Sequence, residues 1–84
     1  MTEVLGVLFT PIPDGIAVIA PLSKVSAVIN CIIQYKLSYA DNGKGVAMYE
    51  DSGYSGLIPV RKLTIQTVNL PDGFAELLAK EIQP

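Results

Sequence analysis

The segment from residue 25 to residue 40, VSAVINCIIQYKLSYA, fits two hydrophobic periods at the same time. Every odd-numbered position in it is apolar or aromatic, which is the two-residue repeat of a strand with one buried face. The stretch also satisfies the helical i, i+3, i+4 repeat, with Ser26, Asn30 and Gln34 on a polar face. The β-branched residues, the tyrosines and the lack of a terminating Gly or Asn favour the strand. An additional helix at about 22–33 is the alternative.

Turn-forming residues divide the rest of the chain into short extended segments. The sequence PIPDG at 11–15 predicts a reversal, because Pro fixes φ and Asp-Gly accommodates a positive φ. Asn42-Gly43 lies between two alternating runs and predicts a β-hairpin turn. The stretch 50–56, which is rich in Gly and Ser, predicts a flexible loop. Extended segments are then expected at 2–9, 15–20, 25–40, 46–50 and 57–70.

The C-terminal residues carry a helical pattern. Asp72 follows Pro71 as a candidate N-cap, and Glu76 and Lys80 form an i, i+4 pair of opposite charge. An apolar stripe predicts that this helix packs against the sheet. The members of the stripe are Phe74, Leu77, Leu78 and Ile82.

Together these elements predict one α+β domain over residues 1–84 that is mainly β. Roughly four or five strands joined by turns favour a small curved antiparallel sheet or a barrel of SH3-like or OB type, with the C-terminal helix packed on it. The order of strand, tight turn, short strand, loop and strand over residues 35–63 resembles the middle of an SH3-like barrel. The resemblance is one of pattern and includes no family motif.

Composition indicates that the chain has more apolar surface than it can bury. It has 84 residues, of which 50% are hydrophobic and 17% are charged. A domain of this size has little interior, and its core alone rarely leaves more than about 3–5 kcal/mol of net stability. The single cysteine, Cys31, excludes an internal disulfide. We therefore expect a homo-oligomer, or an apolar face that binds another protein.

Most residue types used in catalysis and metal binding are missing. The chain has no histidine, so no Ser-His or Cys-His nucleophile can form, and one thiol cannot build a structural zinc site. Cys31 lies in the most apolar run without a basic neighbour, which favours an inert packing role. The acidic pair Glu50-Asp51 has no activating group next to it in the sequence. The sequence therefore predicts a protein that is not an enzyme and has no cofactor and no metal.

Charge and hydropathy argue against nucleic-acid and membrane partners. The net charge is −2, and Arg61-Lys62 is the one adjacent pair of basic residues. The apolar stretch 15–33 is interrupted by Pro21 and Lys24, and a central Lys costs about 2.5–3.5 kcal/mol on membrane insertion. A single cysteine and the lack of an Asn-x-Ser/Thr site favour the cytoplasm.

Aromatic and basic side chains form the candidate binding set. Tyr and Arg are enriched at protein interfaces because they combine a large rigid contact with a polar end. If Tyr39 and Tyr49 flank the Asn-Gly turn, they lie close together across the hairpin. The competing interpretation is that Tyr35 and Tyr39 face the core as cross-strand pairs and that only Tyr54 is exposed. The candidate binding residues are Tyr39, Tyr49, Tyr54, Arg61 and Lys62.

These observations predict a small non-catalytic protein–protein interaction module. We expect a homo-oligomer of the accessory or regulatory type found among phage and plasmid proteins. It would offer a β edge or a barrel face to a second copy of itself or to another protein. The alternative is a module that binds a small anionic ligand through loop 51–56, with Arg61 and Lys62 supplying positive charge.

Overall fold

An antiparallel sheet with helices packed on one face is the framework of the protein. The structure is a computed structural model that describes residues 2–51 and 53–83, and of Glu50, Asp51 and Tyr54 it describes the backbone alone. A 3-10 turn, Leu22–Lys24, precedes the first helix. The elements are β1 (Thr2–Val4), β2 (Val7–Ile12), β3 (Gly15–Pro21), α1 (Val25–Gln34), β4 (Tyr39–Asp51), β5 (Tyr54–Ile65) and α2 (Phe74–Ile82).

The strand order confirms the predicted small α+β fold that is mainly β. Within the described residues, five strands form one sheet in the order β1-β2-β3-β5-β4, and every neighbouring pair is antiparallel. The sheet is not closed into a barrel, so β1 and β4 are its two edges. Of the two predicted shapes, the protein therefore has the open sheet.

Two tight turns connect the first three strands. Leu5 and Gly6 join β1 to β2 with φ values of 48° and 89°, the positive values of a two-residue hairpin turn. Pro13 and Asp14 join β2 to β3, which confirms the reversal predicted at 11–15. Because each connection has only two residues, β2 pairs with β1 and β3 pairs with β2.

The segment 25–40 begins as a helix, so its interpretation as a continuous strand is wrong and the alternative helix is correct. No Gly or Asn ends α1, but Lys36 takes the left-handed φ of 57° in its place. The N–H groups of Lys36 and Leu37 donate to the carbonyl oxygens of Ile33 and Ile32, which closes a Schellman cap. The helix can therefore end without the residue expected there. Its buried residues are Ala27, Val28, Cys31 and Ile32.

The C-terminal helix packs on the core as predicted. Phe74 and Leu78 are buried, and the Phe74 ring meets the Phe9 ring edge-on at a centroid distance of 6.1 Å. Leu77 and Ile82 are partly buried against the same core. The apolar stripe of α2 therefore joins the layer that α1 forms over the sheet.

Asp72 is not the N-cap of α2, and this prediction is wrong. Gly73 occupies the cap position with a φ of 85°, and no side chain caps the helix. The backbone carbonyl of Asp72 accepts a hydrogen bond from the Tyr35 hydroxyl at 3.1 Å. A left-handed residue before the helix favours Gly, so Asp72 lies one residue too early to cap α2.

Asn42-Gly43 does not form a hairpin turn, and this prediction is wrong as well. Asp41 pairs with Leu63 and Gly43 pairs with Lys62, so Asn42 is the extra residue of an irregularity inside β4. Gly43 has the positive φ of 95° that the turn would also have required. A type I′ turn would need a positive φ at Asn42 as well, whereas this bulge needs it at Gly43 alone. The pairing of the flanking strands decides between the two.

With this bulge inside β4, the two strands β4 and β5, of 13 and 12 residues, form one long hairpin. The chain reverses between Asp51 and Tyr54, which are register partners. The loop predicted at 50–56 is therefore largely strand. On the opposite side of β5, β3 pairs only as far as the partners Pro21 and Val60. The hairpin thus extends beyond the strands that pack against the helices.

Candidate functional site

The end of the β4–β5 hairpin extends beyond the rest of the sheet. Past the pair formed by Pro21 and Val60, β5 has β4 as its one strand partner among the described residues. We call this two-stranded part, residues 46–51 and 54–59, the arm. At about 3.3 Å per residue, each of its strands is roughly 20 Å long. A two-stranded ribbon of this kind has a free edge on each side.

One face of the arm is apolar and exposed. Val46 pairs with Pro59 in the strand register. Met48 pairs with Leu57 two positions further along, so these four side chains share a face. Val46, Met48 and Leu57 are 65%, 64% and 63% exposed, and Pro59 is exposed too. We call these four residues the outer patch. Single exposed apolar residues are ordinary, whereas a contiguous group of them in adjacent cross-strand pairs is a candidate interaction surface.

The opposite face of the arm contacts the β1–β2 turn through Tyr49. The Tyr49 hydroxyl donates to the carbonyl oxygen of Gly6 at 2.7 Å, and Lys24 Nζ donates to the carbonyl oxygen of Leu5 at 2.5 Å. Burial, with a smaller effect from the Glu3 carboxylate, raises the pKa of Tyr49 above 10.0. The phenol therefore keeps its proton at neutral pH and can donate. This hydrogen bond fixes the arm against the body of the sheet.

A cleft of about 460 Å³ lies beside this contact. It is lined in part by Glu3, Lys24, Tyr49 and Ile82. The Lys24 amino group and the Tyr49 hydroxyl both donate already to backbone carbonyls. These hydrogen bonds hold the β1–β2 turn against the arm. The two donors are therefore already engaged, and the cleft has fewer polar groups left with which to bind a ligand.

The environment of Cys31 favours a packing role over a chemical one. Cys31 is fully buried, and its burial, with a smaller effect from the Glu81 carboxylate, raises the pKa of the thiol. A raised pKa leaves less of the nucleophilic thiolate at neutral pH. In the part of the chain that the structure describes, no three His, Cys, Asp or Glu side chains come close enough to hold a metal ion. Nor does that part contain a helix with the length and apolar character to cross a membrane.

Arg61 and Lys62 do not form one basic surface. They follow each other in β5, and successive residues of a strand point to opposite faces. Arg61 Nη1 lies 2.6 Å from Asp41 Oδ2 in an ion pair at the base of the arm. Lys62 is exposed, and its side chain extends beside Gly45. About 23 Å of strand separates Arg61 from Tyr54, so the segment proposed to bind an anion does not adjoin this cation.

The candidate tyrosines are spread along the hairpin. Tyr39 begins β4 and is 37% exposed, while Tyr49 lies about 33 Å further along the same strand. The expected contact between them across a hairpin is therefore wrong, because Asn42-Gly43 lies inside β4. The backbone of Tyr54 begins β5, and its side chain lies outside the described residues.

The residues of the outer patch were not among those selected from the sequence. Val46 and Met48 belong to an alternating run, but alternation alone does not say which face a neighbouring element covers. One signal was present in Pro59, because a proline has no N–H to donate and is therefore found in strands mainly where that side faces solvent. It indicates that β5 lacks a partner there on one of its edges.

Comparison with known proteins adds no assignment to this surface. The chain matches no family model, no curated protein and no solved structure. The exposure and the pairing of its own residues are therefore the features that distinguish the outer patch.

Proposed function

We propose that the protein is a small non-catalytic protein–protein interaction module and that the outer patch is its binding surface. The observation that carries the proposal is the exposure of Val46, Met48 and Leu57, each close to two thirds, in adjacent cross-strand pairs. A chain with 50% hydrophobic residues has other exposed apolar side chains, but these three lie together on a projecting element. Covering them with another protein removes a contiguous apolar surface from water.

The apolar surface is large enough to matter energetically. Burying a Val, Leu or Met side chain completely contributes about 1.5–3 kcal/mol. Close to two thirds of each of Val46, Met48 and Leu57 is exposed. Burying this exposed part contributes roughly 3–6 kcal/mol in total, before the entropic cost of association. That gross gain is similar to the net stability of about 3–5 kcal/mol that a core of this size supplies.

We propose self-association as the use of this surface. The outer patch includes two residues of β4, which is an edge strand of the sheet. Edge strands with an apolar face readily pair with another chain, and symmetric homo-oligomers are the commonest soluble assemblies. A regulatory or accessory role of the assembly remains a prediction from the sequence.

Size-exclusion chromatography with light scattering tests the proposal. The wild-type mass should rise above that of the monomer with concentration, whereas Met48→Lys and Leu57→Lys should stay monomeric. Val68→Lys is the matched control, because Val68 is 84% exposed but follows the end of β5 opposite the arm. Its assembly should equal that of the wild type. A wild-type monomer at every concentration, or patch variants that assemble normally, would contradict the proposal.

A further inference from the structure

The outer edge of β4 ends the sheet beside the outer patch. Among the described residues β5 is the one strand neighbour of β4, so the backbone along the other edge of β4 has no ladder partner there. Segment 44–50 of this strand reads KGVAMYE. Unpaired backbone groups along an edge are a template for another strand. The unpaired edge and the outer patch together constrain the orientation and the register of a strand that pairs with β4.

We infer that a second copy of the chain pairs antiparallel with β4 about a two-fold axis at Ala47. The inference rests on the proposed function and names the partner and the register at the same surface. In this register Ala47 of each copy faces Ala47 of the other, and Val46 faces Met48. The outer patches of the two copies then adjoin across the axis.

Charge complementarity selects this register. With the axis at Ala47, Lys44 of one copy stands opposite position 50 of the other, which is Glu50, and the two-fold axis repeats this pair. Moving the axis to Val46 places Lys44 opposite Met48. Moving it to Met48 places Glu50 opposite Val46. Either shift breaks both pairs between Lys44 and Glu50 and places a charged residue opposite an apolar one. Of these registers, only the one with its axis at Ala47 is therefore self-complementary.

The self-complementarity favours a second copy over an unrelated extended peptide. Any extended chain can use the backbone groups of an edge strand, but a copy of 44–50 also supplies matching apolar and charged positions. Seven facing residue pairs form about six to eight backbone hydrogen bonds in an antiparallel ladder. Because the contact is isologous, it closes with two chains.

Disulfide formation at the axis tests the register. Facing residues in an antiparallel ladder have Cα atoms about 4.5–5.5 Å apart, a separation that a disulfide spans. Ala47→Cys should give a covalent dimer under mild oxidation, while native Cys31 stays buried and unreactive. Gly45→Cys is the matched control, because position 45 faces position 49 and not itself, and the change removes no charged pair. It should cross-link at least about tenfold more slowly.

Charge reversal tests the same register without a cross-link. Lys44→Glu alone, and Glu50→Lys alone, should each raise the dimer Kd at least about tenfold, because each change acts twice across the axis. A one-to-one mixture of the two variants should form a heterodimer with a Kd within about threefold of the wild type. In that heterodimer both pairs formed by positions 44 and 50 again have opposite charges.

The outcomes separate the register from the proposed function. If Met48→Lys prevents assembly but the mixed variants do not recover and Ala47→Cys does not cross-link, the outer patch is an interface and the β4 register is wrong. If the wild type binds an apolar peptide through the patch yet never self-associates, a second copy is not the occupant. If assembly is indifferent to Met48→Lys as well, both the proposed function and the register fail.

Discussion

Truncation of Leu78 should show how much the packing of α2 on the core contributes to the free energy of unfolding. Leu78 lies on α2 with a fully buried side chain, within the cluster that joins α2 to α1 and to the sheet. Leu78→Ala removes three carbon atoms from that cluster. The cluster contains buried residues of both helices and of the sheet, and in so closely packed an interior we expect only partial collapse into the space.

The magnitude follows from the loss of transfer free energy and from the cavity. Three carbon atoms at about 0.8 kcal/mol each contribute roughly 2.4 kcal/mol. If about 50 Å³ of the vacated space stays empty, the cavity adds roughly 1.2 kcal/mol at about 24 cal/mol per Å³. We therefore expect Leu78→Ala to lower the free energy of unfolding by about 3–4 kcal/mol. That amount is comparable to the whole net stability expected of so small a domain, about 3–5 kcal/mol.

Urea unfolding followed by circular dichroism measures this effect, in the presence of a stabilising osmolyte if the variant is partly unfolded in buffer. Leu77→Ala is the control on the same helix, because Leu77 is only partly buried and has less contact to lose. It should cost less than half as much as Leu78→Ala. Equal costs for both substitutions, or an unchanged midpoint for Leu78→Ala, would refute the packing of α2 described above.

Two further predictions concern the arm and the second turn. Since the pKa of Tyr49 is raised above 10.0 in the folded state, the unfolded state loses this proton first, and stability should fall as the pH rises past about 10. Urea titrations at pH 8 and pH 10.5 should show a smaller loss for Tyr49→Phe than for the wild type, and an equal loss would contradict the buried donor. Gly15→Ala should cost more than about 2 kcal/mol, because its Cβ would lie 2.2 Å from the Ile65 carbonyl oxygen at a φ of 148°. Gly45→Ala, which meets only the flexible end of Lys62, should cost less than about 1 kcal/mol, and similar thermal midpoints for the two variants would refute the close approach.

Features that depend on neighbouring residues were predictable from the sequence. The apolar stripe of α2 and the reversal at 11–15 follow from residues within a few positions of one another. The end of α1 was not predictable in this way, because Lys36 takes a left-handed conformation that usually requires Gly or Asn. The two capping hydrogen bonds and the buried face of α1 accompany this conformation at Lys36.

Features that depend on strand pairing were the ones that the sequence left undecided. Asn42-Gly43 suits a bulge as well as a turn, and the partner strand β5 determines which of them forms. The same uncertainty affected the candidate binding site, since the predicted meeting of Tyr39 and Tyr49 assumed the turn. Arg61 and Lys62 were expected to act together, although alternation along a strand already places neighbours on opposite faces.

Pro59 has a consequence for the size that an assembly can reach. Beyond Val60 the arm leaves the β5 edge uncovered in the described structure, but Pro59 lacks the N–H group that another strand would need there. The remaining sheet edge, β1, has 3 residues and is too short to template a ladder. Within the described residues, chains that pair through β4 therefore have only interrupted or short edges on which to continue the sheet. We therefore expect assembly through β4 to stop at two chains, because Pro59 removes one donor from the β5 edge and β1 offers only a short edge.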